Sequence, residues 1–347
     1  MARPPSRRLG LAPLAWAAAM VMVCGAARAD AGQPSPTANQ RCGVTAAEGA
    51  SKDAPPPGMV WIPGGRFAMG SNSAYPEEAP VHEVSVHGFW MSRCDVTNRQ
   101  FGEFVAATGY HTVAERDGAG SVVFIQPRDG SAGAWRFVAG ANWRQPEGPG
   151  SNLQGREEHP VVHITYEDAS AYADWKGEQL PTEAQWEHAA RGGLQGKAYA
   201  WGDALTPKGK VMANTWQGDF PFQNTAGDGY SGTSPVASFP ANGFGLFDMA
   251  GNVWQWTKTW YTPHHSSARQ NDPIGPTPAE SLDPRQPGVQ VRVIKGGSHL
   301  CAPTYCRRYR PSARQAQDPG LGTSHLGFRT VLNPVMPAQA AVNHRPG

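Results

Sequence analysis

Two cysteines five residues apart, Cys301 and Cys306, lie in the run KGGSHLCAPTYCRRYR, Lys295–Arg310. A thiol pair at this spacing can be a disulfide, a redox couple or a site for a soft metal ion. A soft metal ion prefers thiolates, and two of them can hold one between them. The spacing gives the backbone room to turn both sulfurs onto one ion. In an exported chain the default reading of the same pair is a structural disulfide.

The elements that must carry this stretch are short. Val291–Ile294 and Leu326–Val331 read as core strands flanking it. Arg66–Met69 and the alternating run Val81–Met91 read as further strands. Three helix starts are written in capping residues. Thr97-Asn98-Arg99-Gln100 is a capping box, with Phe101, Phe104 and Val105 on one face behind it. Thr165–Asp168 precedes Ala171, Tyr172 and Trp175. Thr182-Glu183-Ala184-Gln185 precedes Trp186, Ala189 and Ala190, and Gly192-Gly193 stops that helix. Residues 109–158 read as short strands and loops. Residues 200–247 have almost no helical period, and a run of that length inside a domain is usually functional or held by metal.

Composition bounds the rest. The chain has 347 residues and a formal net charge of +2, so nothing argues for a nucleic-acid partner. Gly 41 and Pro 32 make roughly a fifth of the chain, which predicts much irregular backbone. Twelve tryptophans argue against disorder. Residues 1–29 read as a secretory signal peptide: Arg3, Arg7 and Arg8 precede the apolar run Leu9–Ala26, and Ala27-Arg28-Ala29 is an A-x-A site. Residues 30–57 read as a polar arm, 58–334 as a single compact domain, and 335–347 as a tail. Cleavage removes Cys24 and leaves Cys42, Cys94, Cys301 and Cys306. Neighbours in sequence would pair as Cys42–Cys94 and Cys301–Cys306, but three pairings are open. No transmembrane helix is expected in the mature chain, which is read as exported, periplasmic or secreted, and monomeric.

The runs MVWIPGGRFAMGS, HPVVHITYEDASAYADW, LPTEAQWEHAARGG, AWGD, NGFGLFDMAGNVWQW, KGGSHLCAPTYCRRYR and HLGFR together resemble the formylglycine-generating enzyme, or sulfatase-modifying factor, family. The resemblance covers about Gly58 to Leu332, and the cysteine pair is its specific part. It implies an α+β, C-type-lectin-like fold with little regular secondary structure. It implies oxidation of a cysteine, within a Cys-x-Pro-x-Arg segment of an unfolded sulfatase, to Cα-formylglycine by O2 and Cu(I). Cys301 and Cys306 would hold the copper, with the substrate thiol as a third soft ligand. Ser298 and Trp254 match catalytic positions. Tyr305, Arg308 and His325 match positions lining the substrate groove, His325 standing where some relatives have Asn. Arg308 can equally serve a structural ion pair.

The resemblance also implies calcium (Ca2+), a hard cation that accepts backbone carbonyls as well as carboxylates. One site maps to Asn214, Thr215, Asp228 and Tyr230. A second maps to Asp248, Gly251, Val253 and Gln255, where Gln255 replaces the usual glutamate and should weaken the site. Pro311 and Thr330 stand where secretory-pathway relatives carry extra cysteines. Cys42 and Cys94 match no family disulfide; they pair with each other or leave Cys42 free. Rival readings are an exported tailoring enzyme for a small molecule and a non-enzymatic binding module with a Cys301–Cys306 disulfide. An iron-dependent sulfoxide synthase on the same fold would need a helical bundle that the arm is too short to supply.

Overall fold

Three helices begin where local chemistry places them. The Thr97, Thr165 and Thr182 hydroxyls accept the N–H of Gln100, Asp168 and Gln185 at 3.2, 3.2 and 3.1 Å. Each of those three side chains accepts the capping residue's own N–H in return. These reciprocal bonds satisfy donors that a helix start leaves open. Gly109 and Gly192 end the first and third helices in the left-handed region, with φ of 68° and 57°.

The computed structural model describes residues 38–43 and 55–334, residue 129 excepted. In chain order the elements are α1 (Ala38–Cys42), β1 (Met59–Ile62), β2 (Gly65–Met69), β3 (His82–Val86), β4 (Phe89–Ser92), α2 (Asn98–Thr108), β5 (Ser121–Ile125), β6 (Ala134–Val138), α3 (Tyr166–Trp175), α4 (Glu183–Arg191), β7 (Trp254–Trp260), β8 (Gln270–Asn271), β9 (Arg292–Lys295), β10 (Arg314–Gln317), β11 (Leu326–Gly327) and β12 (Val331–Leu332). The sheets run β1-β4-β12, β2-β3-β8, β5-β6 and β10-β9-β7-β11. No α-helix or strand interrupts residues 200–247, as the missing periodicity predicts. The architecture is α+β, with long irregular segments joining small sheets.

Two strands expected as continuous are broken. The run 81–91 divides into β3 and β4 at His87-Gly88. A Cβ on Gly88 would stand 2.3 Å from the Trp61 ring, so the chain turns there against an aromatic face. The run 326–331 divides into β11, parallel to β7, and β12, antiparallel to β4. The fully buried Arg329 lies between them and takes the chain from one sheet to another.

The polar arm is also partly ordered. Cys42, at the end of α1, is buried and disulfide-bonded to Cys94 across 52 residues. Val236 and Ala237 pack with this bridge. The expected signal peptide, its Ala27-Arg28-Ala29 site, Cys24 and the tail 335–347 lie outside the described residues.

The sheet that carries the cysteines is fixed by buried charge. Lys295 on β9 pairs directly with Arg314 on β10. Lys295 Nζ is 3.1 Å from Glu187 and 3.5 Å from Glu183, and Arg314 Nε is 2.8 Å from Glu183. All four side chains are buried. Burial alone would raise Glu187, but Lys295, Arg191 and the Gly70 N–H outweigh it and hold the carboxyl at about 2. The buried face of α4 is therefore ionic beside Trp186, not purely apolar.

Candidate active site

Residues 296–313 form the loop between β9 and β10. Gly296 and Gly297 open it at φ of 97° and 69°. A Cβ on Gly297 would stand 2.9 Å from the Arg308 backbone, so only glycine lets the two arms of the loop close on each other. Inside, Cys301 N–H donates to Ser298 O at 2.9 Å and Cys306 N–H to Ala302 O at 3.0 Å. These two turns bring both thiols to one point. Cys301 Sγ and Cys306 Sγ stand 2.7 Å apart, buried and not disulfide-bonded.

The two thiols are unlike. The bond from Cys301, followed by the Arg308 backbone and guanidinium, offsets burial and lowers Cys306 to about 7. Burial, then the neighbouring sulfur, pushes Cys301 well up. The pair therefore favours one thiolate beside one thiol. A soft cation between them would replace the second proton, so this donor set fits copper(I).

The other expected residues gather around the pair. Ser298 is fully buried, and its hydroxyl accepts the Leu300 N–H at 3.2 Å. Trp254, on β7, shares a core cluster with both cysteines. Its backbone N–H donates to the His325 carbonyl at 2.8 Å. His325 is buried with Nδ1 on Thr323 Oγ1 at 2.7 Å, and burial followed by His299 and His163 keeps its imidazole neutral. Tyr305 is 63% exposed and stacks on Phe220 at 4.4 Å. Arg308 meets Glu77 at 2.5 Å and lies 4.0 Å over the Tyr75 ring. It thus takes the structural ion pair.

Sequence reasoning missed Trp135, whose ring lies 4.7 Å from His325. Trp135 contacts Phe124, Phe124 stacks on Phe220, and Phe220 stacks on Tyr305. This row of rings borders the site. Its only sequence signal is the alternation Trp135, Phe137 inside a region read as short strands and loops.

The two calcium sets differ. Asn214 is buried, and its Oδ1 has no hydrogen-bond donor. Asp228 accepts the N–H of Thr215 and of Tyr230, each at 3.0 Å, which folds these residues into one loop. An orphaned amide oxygen, one residue from a backbone held by a carboxylate, fits a hard cation. Among the described residues no cluster of three or more His, Cys, Asp or Glu is placed to hold a metal, so such a site would rest on the single Asp228 carboxylate with amide and backbone oxygens. The second set does not fit. Gln255 Oε1 already accepts Trp186 Nε1 at 2.6 Å and Arg329 Nε at 2.8 Å. Its Nε2 donates to the Asp248 carbonyl at 2.9 Å, and Asp248 Oδ2 accepts the Ala237 N–H at 2.7 Å. Gly251 and Val253 flank an amide–guanidinium arrangement, with no free Gln255 oxygen for an ion.

Residues 45–334 match the model of the sulfatase-modifying factor enzyme 1-like domain. The chain is 50% identical over 300 residues to a formylglycine-generating enzyme of Mycobacterium tuberculosis, covering 80% of this chain and 98% of that protein. It is also 39% identical over 287 residues to the inactive C-alpha-formylglycine-generating enzyme 2 of Mus musculus, covering 79% and 85%. Among solved structures it is similar to PvdO from Pseudomonas aeruginosa, with a TM-score of 0.57 and 26% identity over 82% of this chain and 96% of that one. The chain belongs to the formylglycine-generating enzyme, or sulfatase-modifying factor, family.

Proposed function

We propose that this protein oxidises a cysteine, in a Cys-x-Pro-x-Arg segment of an unfolded sulfatase polypeptide, to Cα-formylglycine. The observation that carries the reading is the free, buried pair Cys301 and Cys306 beside an aromatic-lined surface. Family membership alone is insufficient, because the family includes relatives named inactive.

Cys301 and Cys306 would hold copper(I), which when bound supplies the chemistry with O2. Cys306, already inclined to ionise, offers the first thiolate. Ser298 and Trp254 would pack the buried side of the thiol pair. Tyr305, exposed one residue before Cys306, offers a ring against which a substrate proline or apolar side chain can pack. His325 contributes a neutral imidazole against the Trp135 ring. Burial of the pair keeps water from competing for the reacting thiol. Calcium at Asn214, Thr215, Asp228 and Tyr230 would fix the loop that packs Trp216 against Phe220.

A disulfide between Cys301 and Cys306 is the second reading, favoured by the short gap between the sulfurs. Copper binding separates the two. Wild type should take up copper(I), and Cys301→Ser and Cys306→Ser should each lose it, because one thiolate cannot replace two. A Cys-x-Pro-x-Arg peptide incubated with protein, copper and O2 should lose sulfur and gain an aldehyde oxygen by mass spectrometry. An unchanged peptide in the presence of copper-loaded protein would overturn the activity.

The Cys42–Cys94 bridge suits an oxidising compartment. Among the described residues no helix is long and apolar enough to cross a membrane. Both agree with action on an exported polypeptide before it folds.

A further inference from the structure

The β5–β6 hairpin has one edge occupied and one open. On the occupied side, Ser324 N–H donates to Val122 O at 2.9 Å, and Phe124 N–H donates to Ser324 Oγ at 3.0 Å. A residue in a strand sends its N–H and C=O to the same side, and successive residues alternate. Val122 and Phe124 therefore face away from β6, and Ser121, Val123 and Ile125 face it. Their partners are Val138, Arg136 and Ala134. The backbone groups of Trp135 and Phe137 are left pointing outward, and no described strand pairs with them.

The same two residues carry exposed rings. Trp135 is 40% exposed and Phe137 is 62% exposed. They lie on one face of the hairpin, opposite Phe124 and Val122. Natural sheets usually blunt such an edge with proline, short length or several charges, whereas β6 carries only Arg136. One end of the edge is already in use. Gly133, which alternation also turns outward, donates its N–H to Pro221 O at 2.7 Å. The adjoining Phe220 stacks on Tyr305, one residue from Cys306. The open edge thus begins where the candidate site ends.

We infer that β6 is a docking edge for the polypeptide that carries the target cysteine, which adds to Trp135 and Phe137 as a further strand. This rests on the proposed action on an unfolded chain, since only an extended segment can pair in this way. Recognition would divide between the two parts of the segment. The thiol pair and Tyr305 would take the residues at the cysteine. The edge would take a flanking segment through its backbone, with apolar side chains set against Trp135 and Phe137. Sequence outside the core motif would then matter little beyond β-propensity and the absence of proline.

The test uses fluorescence anisotropy with labelled peptides in which the target cysteine is serine, so that binding is read without turnover. One peptide contains the core motif alone. Two others extend it by an apolar, β-prone segment, one at the N-terminus and one at the C-terminus. Two or three added backbone bonds predict about tenfold tighter binding for one of the extended peptides. N-methylation of alternate amides in that extension should remove the gain in one register and spare it in the other. Phe137→Ser, a surface change that leaves the backbone edge in place, should narrow the gap between the long and short peptides without closing it. Equal affinity for core and extended peptides, or a gain that survives both registers of N-methylation, overturns the inference. Turnover of the corresponding cysteine peptides is scored separately, so failure of the oxidation leaves the docking result readable.

Discussion

Lys295 and Arg314 stand opposite one another across β9 and β10, and both reach Glu183 from the two ends of the cysteine-bearing loop. The loop is thus clamped at its base by a buried network of three cations, Lys295, Arg314 and Arg191, and the two α4 carboxylates. Nothing in it touches the thiols directly. It decides where they sit.

Lys295→Met should be strongly destabilising, by about 3–5 kcal/mol, because Glu187 and Glu183 lose a buried partner. Chemical denaturation measures this. In wild type the depressed Glu187 contributes stability present above its unfolded value near 4.5 and lost as pH falls toward about 2. The variant should show a shallower loss of stability across that acid range.

In metal-free protein, Cys306 should react with iodoacetamide with a midpoint near pH 7, below the usual thiol value of 9.0. The sign follows from its partners: Cys301 and Arg308 favour the thiolate, so reactivity appears at lower pH. Cys301→Ser should move the midpoint upward. A midpoint near 9 in the wild type would remove the thiol–thiolate description of the pair.

Asp228→Ala should lower the melting temperature mainly when calcium is present, since an ion bound only by the folded chain stabilises it by mass action. The orphaned Asn214 Oδ1 motivates this. Equal melting of wild type and variant with and without chelator would reject the ion.

Cys94→Ser opens a loop closed across 52 residues and should cost about 4 kcal/mol by the chain-entropy relation. Copper binding at Cys301 and Cys306 should persist in the folded variant, because the Cys42–Cys94 bridge packs in a separate cluster with Val236 and Ala237. Loss of copper in a variant that still melts cooperatively would mean that the two cysteine pairs are coupled.

The sequence alone determined the features whose partners lie within a few residues. The three capping boxes are such features, because Thr97, Thr165 and Thr182 each bond a residue three positions on. The glycine turn before Ser298 and the close spacing of Cys301 and Cys306 are others. Tertiary structure decided whatever depends on a distant partner. The reach of α1 into the core depends on Cys94. The engagement of Arg308 depends on Glu77, 231 residues away. Gln255 matches a ligand position by sequence, yet Trp186 and Arg329 approach from 69 and 74 residues away and take its oxygen. Trp135 had no partner in the sequence until His325, 190 positions later in the chain, came against its ring. Local hydrogen bonds are written in residue type and spacing. Which donor reaches a buried oxygen first is settled only when the chain closes.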